Sequence, residues 1–506
     1  MSNQAFTVVK RFKDDLRISP LRTCFLIPWY IFKIFCITYN KFLPRRNIKL
    51  LLRAYFFSPY YVVKLFLKLI QQQASKKKHN KKSAGYIANK ILTEGNLKSF
   101  DGTVSVVIPV YNGGDDLKNL IAMLKKQEKV GKIEIIAIDS GSVDGSVEFL
   151  KKEDVNLTEI PNKDFSHSGT RNLGAKKATG AILLFMTQDA LPMDKEWVFK
   201  MILPILEYGV VATTGIEKVK EKSTLFACLA NNGFRQYFGA NNGDRIAYLP
   251  CNKKDSYSLR RNALLNNIGC AVRKDVFTTF FYQGEYGEDL DLGVRLIQAG
   301  HKIALLSSIQ TIHSHDRSCS YYLRYVYIDT KTNKNIFPDL YHSNKSLKEI
   351  IASAFCAYYH LQKLFTYIHS LQGDLSISEF FNSVMYFWNN SLKETFCEQE
   401  ALAFGSWYSD STVDDFFQMV LISFPKINLD GFSYIESQKH YFDVRLRNYI
   451  AVNFKSINAD LRRQVIDTMY KDLMWKFAFD LALYFCDNQD KDNPLFITLE
   501  KMSKGV

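Results

Sequence analysis

This chain predicts an α/β fold followed by an all-helical region, and three observations carry that expectation. Short apolar, β-branched runs recur between about residues 102 and 329, each the length of one buried strand. Stretches with helical spacing separate these runs, an alternation that implies a mostly parallel sheet covered on both faces. From about residue 330 onward the pattern changes to long helical stripes.

The elements follow in order. Residues 104–110 (VSVVIPV) read as a buried strand. Over 116–126, Leu117, Leu120, Ile121 and Leu124 fall on one helical face. A second strand spans 133–138 and ends at Asp139, and 145–152 reads as a short helix. A polar turn carrying His167, Thr170 and Arg171 then leads into a short amphipathic helix over 172–179. The apolar run 181–186 is a third strand, ending at Thr187-Gln188-Asp189-Ala190 and closed by Pro192. A helix follows at 197–206.

Three segments emerge: 1–96, 97–329 and 330–506. In the last, Leu347, Ile350, Ile351, Ala354, Tyr358, Leu361 and Phe365 make one helical stripe. Ile377, Phe380, Phe381, Val384, Trp388 and Leu392 make another, with Asp374 as its cap. Val465, Met469, Leu473, Phe477 and Leu481 make a third. A hydrophobic content of 47% against 23% charged residues is enough to build real cores in all of this.

The net charge of +15 is carried by the first segment alone. Residues 1–90 hold nineteen Lys and Arg against only Asp14 and Asp15, so the rest of the chain is slightly acidic. Two apolar stretches there, 24–39 and 50–70, are interrupted by Pro28, Lys33, Arg53, Pro59, Lys64 and Lys68. They are too broken to span a bilayer, and Trp29, Tyr30, Tyr55, Tyr60 and Tyr61 suit a membrane–water boundary. An interfacial, basic, amphipathic segment is the expectation. Lys76-Lys77-Lys78 and Lys81-Lys82 add a polybasic run, each cation worth on the order of 1 kcal/mol near an anionic leaflet. Helices packed on the protein's own core remain the alternative. No nucleic-acid motif accompanies these cations, so nucleic acid is not the expected partner.

Nine scattered cysteines without a Cys-x-x-Cys argue against a zinc site or a disulfide framework and for a reducing cytosol. No secretory signal and no transmembrane helix are expected.

Four sets of residues carry chemistry. They are Pro109-Val110-Tyr111-Asn112-Gly113-Gly114, then Asp139 to Gly145 (DSGSVDG), then FSHSGTRNLG with TQDALP over 165–192. The last is Gly287-Glu288-Asp289-Leu290-Asp291 with His313-Ser314-His315 beyond it. Each follows an apolar run, so parallel strands would bring them to one sheet edge, where α/β sheets hold ligands. A nucleotide diphosphate needs a cation across its phosphates, which Asp189 and a neutral imidazole such as His313 suit, the imidazole favouring Mn²⁺ over Mg²⁺. Arg171 would neutralise phosphate, Asp139 would accept hydrogen bonds from base or ribose, and Asp289 would be the general base.

Each residue alone has a plainer reading. An Asp at a strand end is usually a turn residue or a cap, and Asp144-Gly145 reads as a turn. Arg171 reads as a surface charge, and the 288–291 run as a solvated helix start. His313 and His315 alternate as in a strand, so at most one of them is expected to point into the site.

Taken together, the ordered motifs PVYN, DSGSVDGS, FSHSGTRNLG…TQDALP, GEDLDLGVRL…AGHKI and HSH resemble family 2 glycosyltransferases of the GT-A fold, most of all a rhamnosyltransferase-like subgroup. The resemblance covers residues 104–317. It implies that Pro109, Tyr111, Asn112, Asp139, Arg171 and Gln188 lie at the donor site. It implies that Asp189 and His313 hold a divalent cation, Mn or Mg, and that Asp289 is the catalytic base. His167 and Glu288 support them. Where that subgroup often carries Gly-Arg-Gln, this chain has Thr214-Gly215-Ile216-Glu217, and Leu292 follows the EDLD run where an aromatic is common.

The activity so implied is inverting transfer of a sugar from a nucleotide diphosphate donor, with dTDP-L-rhamnose the candidate. The acceptor would be a saccharide, lipid-linked, in bacterial surface polysaccharide assembly, at the inner face of the cell membrane. Two other readings stand beside it: a sugar-phosphate nucleotidyltransferase, which needs a cation near Tyr111-Asn112-Gly113-Gly114 that is missing, and a non-catalytic scaffold on a degenerate transferase domain. A dehydrogenase would need a G-x-G-x-x-G after the first strand.

Overall fold

A computed structural model describes residues 86–87, 92–248, 256–391, 413, 415–416, 420 and 433–504. The basic stretches of the N-terminal segment and their expected membrane contact lie outside these residues, as does Leu392. The described residues belong to one unit, Ala84–Val506.

The first part of that unit runs β1 (Tyr86–Ile87), β2 (Phe100–Val110), α1 (Gly114–Lys125), β3 (Val130–Asp139), α2 (Ser146–Lys152), β4 (Asn156–Glu159), α3 (His167–Lys177), β5 (Ile182–Phe185), β6 (Leu191–Pro192) and α4 (Trp197–Glu207). It continues through β7 (Ala212–Lys218), α5 (Leu225–Tyr237), β8 (Arg245–Ala247), α6 (Ser256–Asn262), β9 (Cys270–Arg273), α7 (Lys274–Phe280), α8 (Glu288–Gln298) and β10 (Ile303–Ile312).

Strand period explains the two-sided core. In β2, Val104, Val106 and Ile108 pack with Leu117, Leu120, Ile121 and Leu124 of α1 and with Met201 and Ile202 of α4. Val107, between them, faces the other side with Leu183, Phe185, Ala175 of α3 and Leu292 and Leu296 of α8. Burial on both faces is why these strands read as continuous apolar runs. Helix α3 starts five residues earlier than its apolar spacing predicts. The Ser166 hydroxyl caps it by accepting the Gly169 N–H at 3.0 Å.

The sheet is mixed rather than mostly parallel. Its order is β1-β8-β10-β7-β9-β5-β2-β3-β4, with β6 paired to β10. Strands β4, β3, β2 and β5 run parallel. Short β9 lies antiparallel between β5 and β7, and β7 is parallel to β10. A short apolar run carries no sign of its direction, and connections decide that. Two reversals through β9 leave β7 and β10 pointing the same way as β5, so the expected convergence of strand ends survives.

The remainder is helical: α9 (Cys319–Ile336), α10 (Leu347–Ser370), α11 (Ile377–Ser391), α12 (Ser433–His440), a π-helical turn (Tyr441–Leu446), α13 (Arg447–Asn453), α14 (Ala459–Asn488) and α15 (Pro494–Met502). The stripes of α10, α11 and α14 meet in one core, where Ile350, Phe380, Val465, Met469 and Phe477 are fully buried. The cap of α11 is Ser376, not Asp374: its hydroxyl accepts the Glu379 N–H at 3.2 Å, and Glu379 accepts the Ser376 N–H at 3.0 Å. The expected boundary at 329/330 falls inside α9, whose Leu323, Val326 and Tyr327 pack in the helical core. Among the described residues no helix is long and apolar enough to cross a membrane.

Candidate active site

Strands β2, β3, β5, β7 and β10 deliver their carboxyl ends to one edge. Val110 pairs with Asp139, and Ile312 pairs with Lys218. The β6 pairing of Leu191 with Ile312 folds the loop after β5 against β10. That contact brings Asp189 to the His313-Ser314-His315 segment.

Both imidazoles reach Asp189. His315 Nε2 lies 3.0 Å from Asp189 Oδ2, and His313 Nε2 lies 3.5 Å from Oδ1. The expectation that at most one would do so is corrected, because residues two apart in an extended chain share a face. The rings meet edge-on, 4.5 Å between centroids. On its other side, His313 Nδ1 is 2.6 Å from Glu217 Oε1. Glu217 is the last residue but one of β7, and no sequence motif marks it.

These groups perturb one another. Burial pushes the Asp189 carboxyl up, but His313 and His315 outweigh it and hold Asp189 well below the usual carboxylate range. Burial likewise opposes the His313 imidazolium, yet Asp189 and Glu217 raise its pKa to about 9. The Asp189, His313 and His315 ligand atoms lie within 4.8 Å of one another. One carboxylate and two imidazoles at that spacing fit a divalent cation, and the nitrogen donors favour Mn²⁺ over Mg²⁺. Glu217 would fix the His313 tautomer so that Nε2 faces the ion.

The Tyr111 loop forms the other wall. Gln188 does not stand in for an acid: its side-chain amide accepts the Tyr111 N–H at 2.9 Å and donates to the Tyr111 carbonyl at 2.9 Å. Gly113 leaves room for this, since a Cβ there would come within 3.0 Å of Gln188 Oε1. Asn112 donates its N–H to Ser142 Oγ at 2.8 Å and accepts the Val143 N–H at 2.9 Å. Tyr111 itself is half exposed. Asp139 is buried, accepting the Gly141 and Ser142 N–H groups at 2.9 and 3.0 Å, so it holds its own turn. Pro109 lies within β2, just ahead of this loop.

Asp289 sits at the start of α8. Gly287 precedes it with φ 68°, and a Cβ there would also strike Thr332 at 2.7 Å. The Leu290 N–H donates to Asp289 at 2.7 Å and the Asn267 N–H at 3.3 Å. Asn267 lies three residues before Cys270, which pairs with Phe185 and Thr214, so it stands at the same sheet edge. Burial and the neighbouring Glu288 charge push the Asp289 carboxyl up to about 7. Glu288 is buried against Arg171, 3.1 Å away, and accepts from the Asn267 amide at 2.8 Å. Arg171 is therefore neither a surface charge nor aimed outward at phosphate. It joins α3 to α8, and it neutralises the acid beside the candidate base. His167, in the first turn of α3, meets Tyr286 edge-on at 6.3 Å.

Groups gathered this way at the carboxyl edge of an open sheet mark the class: an α/β fold with a candidate ligand site at its strand ends. Residues 105–269 match the glycosyl transferase family 2 profile. An O-antigen chain rhamnosyltransferase of Salmonella typhimurium is 27% identical over 219 residues, covering 42% of this chain and 67% of its own. A second, from Salmonella anatum, is 26% identical, covering 42% and 66%. The chain thus spans about two thirds of the length of these relatives. Among solved structures, a mannosyltransferase from Pyrobaculum calidifontis in complex with GDP-Man and Mn²⁺ is 11% identical. It superposes with a TM-score of 0.38 over 75% of this chain and 90% of that one, too loose a likeness to carry a residue across.

Proposed function

We propose that this protein is an inverting glycosyltransferase that takes a sugar from a nucleotide diphosphate, with dTDP-L-rhamnose the favoured donor. The observation that carries the reading is the gathering of Asp189, His313, His315 and Asp289 at one sheet edge. The names of two relatives support the choice of rhamnose.

In this reading the nucleotide lies over Tyr111 and the turn held by Asp139, and the diphosphate faces Asp189 and the two histidines. A divalent cation held there would offset the charge that develops on the departing diphosphate. Asp289 takes the proton of an acceptor hydroxyl, whose oxygen attacks the anomeric carbon. The bond from that carbon to the diphosphate breaks on the opposite face, and its electron pair leaves with the nucleotide. Arg171 keeps Glu288 ion-paired, and Asn267 orients both acids.

The direct check uses water as acceptor. Incubated with dTDP-L-rhamnose and Mn²⁺, the protein releases dTDP, and NMR finds the first-formed rhamnose with the anomeric configuration opposite to the donor's. Retained configuration contradicts inversion, and release only from other nucleotide sugars replaces rhamnose.

The acceptor proposed is a lipid-linked saccharide met at the inner membrane face, which the basic, aromatic residues 1–90 suit. The full chain should therefore sediment with phosphatidylglycerol liposomes at low salt and be released as salt rises. A chain that ignores such liposomes removes the membrane contact from the account.

A further inference from the structure

Six aromatic side chains run outward from the candidate base: Phe226 is buried and Tyr325 packs against the helical core, but the row ends partly exposed at Trp475. Tyr286 stands three residues before Asp289, and its ring meets that of Tyr325 at 6.2 Å. Tyr321 and Tyr325, one turn apart on α9, are stacked, 5.8 Å between centroids and 12° from parallel. Trp475 of α14 lies 6.2 Å from both Tyr325 and Tyr322, and Phe226 closes the group 4.7 Å from Tyr322.

The core faces of the same helices are elsewhere. Leu323, Val326 and Tyr327 of α9 are buried, as are Met474 and Phe477 of α14, whereas Trp475 between them is 37% exposed. A tryptophan left partly in water beside partly buried tyrosines is an apolar surface that a ligand can cover. The Arg317 guanidinium lies over the Tyr321 ring at 5.0 Å and adds a polar rim.

We propose that Tyr286, Tyr321, Tyr325 and Trp475 form a platform on which a sugar ring of the acceptor lies, a proposal that rests on the transferase reading above. A pyranose has an apolar C–H face and a hydroxyl rim, and flat rings edged with phenols match both. The platform leads to Asp289, the group that must meet the acceptor hydroxyl. Burial pushes the Tyr286, Tyr321 and Tyr325 phenols up from a value already well above neutrality, so they stay uncharged. Tyr321 and Tyr325 lie beyond residue 320, and Trp475 lies deep in the helical region. The helical region thereby selects which acceptor is glycosylated.

The test uses methyl glycosides of rhamnose, glucose, galactose, mannose and N-acetylglucosamine. They are titrated into the full chain with Mn²⁺ and dTDP and followed by saturation-transfer NMR. Wild type should bind at least one of them saturably. Trp475→Ala and Tyr321→Ala should each weaken that binding by about tenfold, and Trp475→Phe should recover most of it. Nucleotide affinity and the thermal midpoint are read on the same samples. If Trp475→Ala is unfolded, Tyr321→Ala and Trp475→Phe carry the comparison. Undiminished glycoside binding in the folded alanine variants overturns the platform. So does a wild type that binds dTDP but none of the five glycosides. A wild type that binds neither overturns the transferase reading itself.

Discussion

Asp289→Asn lowers sugar transfer by about 10²- to 10⁴-fold while Mn²⁺-dependent nucleotide binding stays at the wild-type level. Three acids stand in the first turn of α8, and the geometry separates their roles. Glu288 is ion-paired with Arg171, and Asp291 lies 2.7 Å from Arg295. Among the described residues, Asp289 alone of the three has no cation within 4 Å. The amide retains the oxygen that accepts from Leu290 or Asn267, so the loss is of basicity and not of shape. The pH profile is a second readout of the same group. Burial and Glu288 raise the Asp289 pKa to about 7, and a base must be deprotonated to act. So kcat/KM should rise with pH up to about 7 and level off above it, the reverse of a profile set by a general acid. Full turnover by Asp289→Asn would remove the residue from the mechanism.

Asp189→Ala is expected to weaken Mn²⁺ binding by at least about 100-fold, read by the free-ion EPR signal. Asp189 is the only anion among the three candidate ligands, and both histidines are aligned on its two oxygens. Without it His315 loses its carboxylate partner, His313 keeps only Glu217, and a divalent cation loses its hard donor. Glu217→Gln should show a smaller version of this, about 10- to 100-fold, because it touches the ion only through His313 Nδ1. A graded series, Asp189 above Glu217, is the signature of a site built in this order. Mn²⁺ affinity unchanged in Asp189→Ala would place the ion elsewhere.

Asp189 and Asp289 were legible in the chain as candidates, and each of the other positions was hidden for its own reason. Asp189 and Asp289 each follow an apolar run or open an amphipathic helix, so local pattern marks them. The strands at residues 104, 133 and 181 were recognisable because both their faces are buried, and the stripes of α10 and α14 because helical period persists over many turns. Glu217 and Asn267 were invisible, since each acts on a partner 96 or 21 to 22 residues away, across a strand pairing that one sequence does not announce. Short β9, four residues at Cys270–Arg273, is too brief for the sequence pattern to mark it as a strand. Arg171 has the right charge for phosphate, and only the packing of α3 on α8 shows its partner to be Glu288. His315 was discounted by an error of geometry, since i and i+2 lie on the same side of an extended chain.

The central claim is that a divalent cation and a nucleotide diphosphate sugar meet at Asp189. Calorimetric titration of wild type with dTDP-L-rhamnose, UDP- and GDP-sugars, in Mn²⁺ and again in chelator, tests it most directly. Saturable binding of one donor in Mn²⁺, abolished by chelator, is the expected result. Binding that is equally tight in chelator, or no binding to any donor with either metal or chelator present, would contradict it.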